Sequence, residues 1–202
     1  MAIKRIFFIS LIMLLSLPAA HAAGTDNGNL PSWKGRWITT DRAQGTPNTW
    51  LIYRKEANLD KVPKTLKARI AADSKYWMWI NDSLVVFEGG LKRGPAPGQT
   101  YYDVVDIAPY LVPGENTIAV LLWYFGKNGF SHASSGAAAL LFDAQSPEAE
   151  IVSDNTWLCG VYGAFSNTGA PHPNYRLPES NIRVDARKAL DGWNKKGYKG
   201  RM

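Results

Sequence analysis

From residue 50 to 163 apolar and polar side chains alternate in short runs. In TLKARIAAD (65–73), Leu66, Ala68, Ile70 and Ala72 fall on one face and Lys67 and Arg69 on the other. That is the period of two of a half-buried strand. The next run, KYWMWI (75–80), places Tyr76, Met78 and Ile80 on a core-facing side and Trp77 and Trp79 on the opposite side. Asn81 and Asp82 tolerate left-handed backbone, so YWMWI and LVVF (84–87) read as the arms of a hairpin. NTIAVLLWYF (116–125) is apolar on both faces and predicts a strand covered on both sides, and GAAALLFDA (136–144) is a second such run. EAEIVS (148–153) and TWLCGVY (156–162) are shorter strand candidates. Leu66, Ile70, Met78, Ile80, Ile118, Val120, Leu122, Leu140 and Phe142 make the expected core. No long stretch carries the helical period. Many short strands punctuated by turns predict an all-β fold, an antiparallel β-sandwich.

The runs are separated by Gly- and Pro-rich loops: KRGPAPGQT (92–100), PYLVPGEN (109–116) and GKNGFSHASSG (126–136). DIAPYL (106–111) suggests a single helical turn with Asp106 as its cap and Pro109 in the first turn. After residue 163 the texture changes to an irregular, Pro-containing connection, and IRVDARKALDGW (182–193) fits a strand or a short helix equally. At the other end, Lys4 and Arg5 precede IFFISLIMLLSLPAA (6–20) and the small residues of AHAA (20–23). This is the pattern of a secretory signal peptide, cleaved after Ala20 or Ala22. The expected organisation is a signal peptide over 1–22, a sandwich domain over 23–163, and a connection over 164–202 that begins a further, truncated segment. No second apolar stretch reaches membrane-spanning length. The expected location is therefore secreted or periplasmic.

Charge adds little. The formal net charge of +6 becomes +4 on removal of Lys4 and Arg5, and only NKKGYKGRM (194–202) clusters its cations. A nucleic-acid partner would need a basic stripe, so none is expected. Cys159 is the only cysteine, which rules out an intrachain disulfide and reads as a small buried hydrophobe. No Gly-rich phosphate loop, paired-Cys pattern or His-Glu-x-x-His motif is present, so no cofactor or metal is expected. His132 and His172 are isolated in sequence. Asp73, Glu88, Asp103 and Asp106 offer carboxylates. Asp106 is engaged by capping, and Asp73 and Asp82 sit at strand ends where turns need them.

Taken together, RIAADSKYWMWINDSLVV (69–86), YYDVVDIAPYLVPGENTIAVLLWYFGKNGFSHASSGAAALLFDA (101–144) and PESNIRVDARKALDGW (178–193) resemble the N-terminal β-sandwich region of bacterial α-L-rhamnosidases and related glycoside hydrolases. The resemblance covers about residues 33–193 and implies a galactose-binding-like, jelly-roll sandwich. Enzymes of that kind carry their catalytic carboxylates on a later helical barrel. No residue here matches that motif, so no catalytic residue is carried over. One departure is Asp82, where relatives often place the glycine of an Asn-Gly hairpin.

The resemblance implies a non-catalytic carbohydrate-binding or accessory module for glycan degradation. Its partners would be a rhamnose-containing glycan or a packing domain of the parent enzyme. The competing readings are a truncated hydrolase with residual or partner-dependent activity, and a docking module of an envelope protein. A sugar site would fall on the loops 92–100 and 126–136, where Asn128, Ser131 and His132 supply donors and acceptors. Trp77 and Trp79 would flank it, and Gly126, Gly129 and Gly136 would allow close backbone approach. Set against this, the two tryptophans also suit packing, and the loop polar groups also suit bonds within their own loop.

Overall fold

The computed structural model describes residues 32–43, 46–90, 100–126, 128, 132–168 and 182–202. The alternating runs become strands in two antiparallel layers. They are β1 (Thr49–Leu59), β2 (Lys67–Asp73), β3 (Lys75–Ile80), β4 (Ser83–Gly90), β5 (Asp103–Asp106), β6 (Gly114–Tyr124), β7 (Ala139–Gln145), β8 (Glu150–Val152) and β9 (Leu158–Val161). One layer has the order β4-β3-β6-β1-β9 and the other β5-β2-β7-β8. A two-stranded ribbon joins β10 (Phe165–Asn167) to β11 (Ile182–Val184). The all-β sandwich expected from the alternation is the fold observed.

The core lies between the layers. Every predicted core residue is buried in it, with Met78, Ile80, Ile118, Val120, Leu122, Leu140 and Phe142 wholly inaccessible. Burying each such side chain favours the folded state by roughly 1.5–3 kcal/mol. The strand apolar on both faces, β6, runs between β3 and β1 at the centre of its sheet. Ile118, Val120 and Leu122 point into the main core, and Ala119 and Trp123 into a second apolar cluster on the outer side of the sheet. The Asn81–Asp82 hairpin is present, and both residues have positive φ, 46° and 71°. Asn81 also knits the hairpin to its surroundings, donating to Tyr110 O and accepting from Thr117 N–H at 3.0 Å.

Several features were not legible in the alternation. The longest strand partner of β6 is β1, paired with it from Thr49↔Tyr124 to Leu59↔Gly114. The segment 32–40 straps the other layer, with Ile38 bridging Leu140. Arg69, expected on a solvated face, is buried under that strap beside Asp143. The ambiguous stretch 182–193 is both things in turn, strand β11 followed by a 3-10 turn (Ala186–Lys188) with Asp185 as its N-cap. The N-cap of the short turn Ala108–Tyr110 is Ile107, not the expected Asp106; Asp106 Oδ1 instead accepts from Ala108 N–H at 3.2 Å just ahead of the turn and from Leu66 N–H at 2.9 Å.

Residues 182–202 lie back on the outer face of the five-stranded sheet. Trp193 inserts against Trp79 and Tyr162, with ring centroids 5.7 and 6.0 Å apart. Buried Arg54 of β1 donates to the carbonyls of Trp193 and Lys195 at 3.1 and 2.8 Å. These carbonyls would otherwise be covered without a partner. Lys196 N–H in turn donates to Asp82 Oδ1 at 2.8 Å.

Candidate functional site

Strand β2 belongs to one layer and β3 to the other, and only Ser74 separates them. The Asp73–Ser74 peptide is cis. This crossing places the Asp73 carboxylate at one end of the sandwich. The loop that leaves β6 arrives at the same end, turned there by Gly126, whose φ is 71°. A Cβ on Gly126 would meet Pro47 Cα at 2.6 Å, so the close approach of the two segments requires glycine.

Asp73 collects donors from that loop. Its Oδ2 accepts from Ser135 N–H at 2.6 Å, Ser135 Oγ at 2.8 Å and Ser134 Oγ at 3.1 Å. Its Oδ1 accepts from Ser74 Oγ at 2.6 Å and lies 3.0 Å from His132 Nε2. Burial on its own would raise the Asp73 pKa, but the contacts from His132, Ser74 and Ser135 outweigh it and hold the carboxyl below its ordinary value. Asp73 is therefore an anion at neutral pH. Its role is larger than the turn residue expected from its place at a strand end.

His132 is only 4% exposed. Its ring packs edge-on against Phe125 at 5.5 Å, and Phe125 packs against Trp123 at 4.8 Å. Nε2 approaches Asp73 off the line of a good hydrogen bond, and Nδ1 has no hydrogen-bond partner. A nitrogen lone pair held 3.0 Å from a carboxylate oxygen would be repelled, so Nε2 carries the ring proton in the neutral form. A cavity of about 240 Å³ opens beside the pair, lined by Trp37, Asp73, Thr100, His132, Ser135 and alanines. Trp37 stands at its mouth, 49% exposed.

The other expected site residues fall in different places. Asn128 is exposed, and its Oδ1 accepts from Ser134 N–H at 2.9 Å within the same loop. Ser131 and Gly129 lie outside the described residues, as does the loop 92–100 apart from Thr100, which lines the cavity. Trp77 and Trp79 sit on the outer face of the five-stranded sheet and do not line the cavity. Trp79 meets Trp193, and Trp77 meets Phe87 edge-on at 6.5 Å with Lys75 Nζ 5.8 Å from its ring. Sequence reasoning missed Trp37 and Asp73 as cavity residues, because nothing local ties either to His132.

Cys159 is half-buried beside Tyr53, and burial pushes its thiol pKa up to about 12. Among the described residues no group of His, Cys, Asp and Glu is arranged to hold a metal ion, and no helix is long and apolar enough to cross a membrane.

The arrangement defines an antiparallel sandwich with a small cavity of mixed lining at one end, the kind of scaffold on which loops carry a binding site. No family model matches the sequence, and no curated protein matches it. Solved structures do match the fold. A GH78 family rhamnosidase of Bacillus sp. GL1 superposes with a TM-score of 0.69 at 23% identity, over 84% of this chain and 17% of that one. The α-L-rhamnosidase from Aspergillus terreus gives 0.59 at 19% identity, over 82% and 20% of the two chains. That from Dictyoglumus thermophilum gives 0.57 at 21% identity, over 83% and 20%. The chain thus shares its fold with part of solved α-L-rhamnosidases and spans no more than about a fifth of their length. The jelly-roll resemblance read from the sequence is matched at the level of the fold.

Proposed function

We propose that this chain is a non-catalytic, carbohydrate-binding accessory sandwich of the α-L-rhamnosidase type, exported from the cell and acting in glycan degradation. The observation that carries this reading is the shared sandwich, which extends over 84% of the chain. The chemistry at the loop end agrees with it. Hydrolysis of a glycoside needs two carboxyl groups flanking the bond, roughly 5–10 Å apart. Asp73 is the only carboxylate among the described residues that line the cavity, and its oxygens are already taken up by serine and backbone donors. It is built to position groups rather than to exchange a proton or attack a sugar.

The test pairs binding with turnover on the secreted protein. Isothermal titration with rhamnose-containing oligosaccharides should give saturable binding, and 4-nitrophenyl α-L-rhamnoside should not be hydrolysed. Turnover abolished by changing one Asp or Glu of this chain would refute the accessory role. Mass spectrometry of the exported protein should find its N-terminus at residue 21 or 23.

A second reading, a docking module, is favoured by one observation. The outer strand β4 exposes Leu84 and Phe87. On that reading the protein binds no glycan, and mixing it with the catalytic part of an α-L-rhamnosidase slows hydrogen exchange along β4.

A further inference from the structure

We propose that the cavity between Trp37 and His132 holds a single neutral sugar residue, with one sugar hydroxyl donating to His132 Nδ1. This inference rests on the carbohydrate-binding reading and gives it a place and a selectivity.

The starting point is the orphaned nitrogen. His132 is more than nine-tenths buried and lines the cavity, and its Nδ1 has no partner. Buried polar atoms are nearly always satisfied, and leaving one unpaired costs about 1–3 kcal/mol. In the neutral ring, with Nε2–H toward Asp73, Nδ1 presents a lone pair and needs a donor. A hydroxyl meets that need once a small turn of the ring bares Nδ1, which is sealed from solvent in the empty cavity. Asp73 keeps the ring oriented, and Phe125 fixes its tilt from the side.

Size, surface and charge narrow the ligand. Pockets for drug-sized ligands measure roughly 300–1,000 Å³, so about 240 Å³ suits one sugar ring rather than an oligosaccharide. The half-exposed indole of Trp37 offers a flat apolar surface for the C–H face of that ring, and Ala137 and Ala139 give the cavity an apolar wall. Asp73 contributes negative charge, and no Lys or Arg is among the described lining residues. A sugar bearing a carboxylate or phosphate would meet the Asp73 charge with no cation among the described lining residues to offset it.

The experiment is a titration of the full exported protein with methyl α-L-rhamnopyranoside, methyl β-D-galactopyranoside and D-galacturonate, followed by long-range ¹H–¹⁵N correlation of the imidazole nitrogens. At least one neutral glycoside should bind and shift the His132 Nδ1 resonance, while galacturonate should bind about tenfold more weakly or not at all. His132→Gln should weaken the neutral sugar by about tenfold or more. Because a buried substitution can disturb folding, Trp37→Ala and Ala137→Leu, both at exposed positions at the mouth, should weaken it as well with the thermal unfolding transition unchanged. If sugar binds but all of these variants bind it as tightly as the parent, the cavity assignment falls and the carbohydrate-binding reading stands. Equal affinity for galacturonate overturns the neutral selectivity. If no sugar binds at millimolar concentration, both readings fall and the cavity holds water alone.

Discussion

Arg69 on β2 donates to Asp143 on β7 over 2.8 Å, with the two side chains only 6% and 1% exposed. Asp143 also accepts the backbone N–H groups of Lys34 and Gly35 at 2.7 and 2.8 Å, and the Arg69 guanidinium lies 4.0 Å from the Trp33 ring. One buried ion pair therefore fastens the strap 32–40 to the four-stranded layer. Removing one partner leaves the other charge stranded, which typically costs about 3–5 kcal/mol. Arg69→Met and Asp143→Leu should each destabilise the protein by that order in urea unfolding, and the double variant should recover part of the loss. Single variants within about 0.5 kcal/mol of the parent would show that the pair is not buried as described.

The acid side of the stability profile should report the two buried aspartates. Burial would raise the pKa of Asp143, but Gly35 N–H, Arg69, Gln145 and Lys34 N–H hold it below its ordinary value, and Asp73 is lowered similarly by His132 and its serines. A carboxyl whose folded pKa is depressed adds stability that is complete above its unfolded pKa, near ~3.9, and is lost as pH falls through the folded pKa. Stability should thus decline as pH drops below about 4–5. Asp143→Asn and Asp73→Asn should lower the neutral plateau and flatten that decline. An acid limb as steep as the parent's in both variants would contradict the assignment.

Trp193 anchors the segment 182–202 to the five-stranded sheet. Truncating a buried tryptophan typically costs about 3–5 kcal/mol, and Trp193→Ala belongs at the lower end because Trp79, on which it packs, is partly exposed. Amide exchange should speed up over 182–202 and at Trp79, with the main core unaffected. Unchanged protection of that segment would mean that Trp193 is not its anchor.

Cys159 should be inert. With its pKa near 12, only roughly one thiol in ten thousand is ionised at about pH 8. Alkylation by iodoacetamide should be slow in the folded protein and fast in urea. Equal rates in the two states would overturn the burial argument.

The layers were legible in the sequence because alternation reports which residues face a core, and each of the core residues from Leu66 to Phe142 obeyed it. Alternation cannot report a second layer on the other side. Arg69 read as solvated because its partner lies 74 residues away, and Trp79 read as a candidate platform because Trp193, which covers it, lies in a stretch with no clear period. The site was half legible. His132 stood out as a loop histidine, yet Asp73 read as turn material, because Ser134 and Ser135, which join neighbouring Ser74 in binding it, are 61 and 62 residues distant and arrive only through the turn at Gly126. Such pairings are set by topology, and no local pattern encodes them.

The indoles of Trp50 and Trp123 lie 5.0 Å apart at 17°, face to face across the β1–β6 register. Two chromophores so close and so nearly parallel share their electronic excitation. Their absorption should split into a coupled pair of circular dichroism bands that exists only while those strands stay in register. Trp123 touches Phe125, and Phe125 touches His132, so two ring contacts separate the pair from the cavity. A sugar entering the cavity should therefore alter that coupled pair of bands, a readout that needs no label.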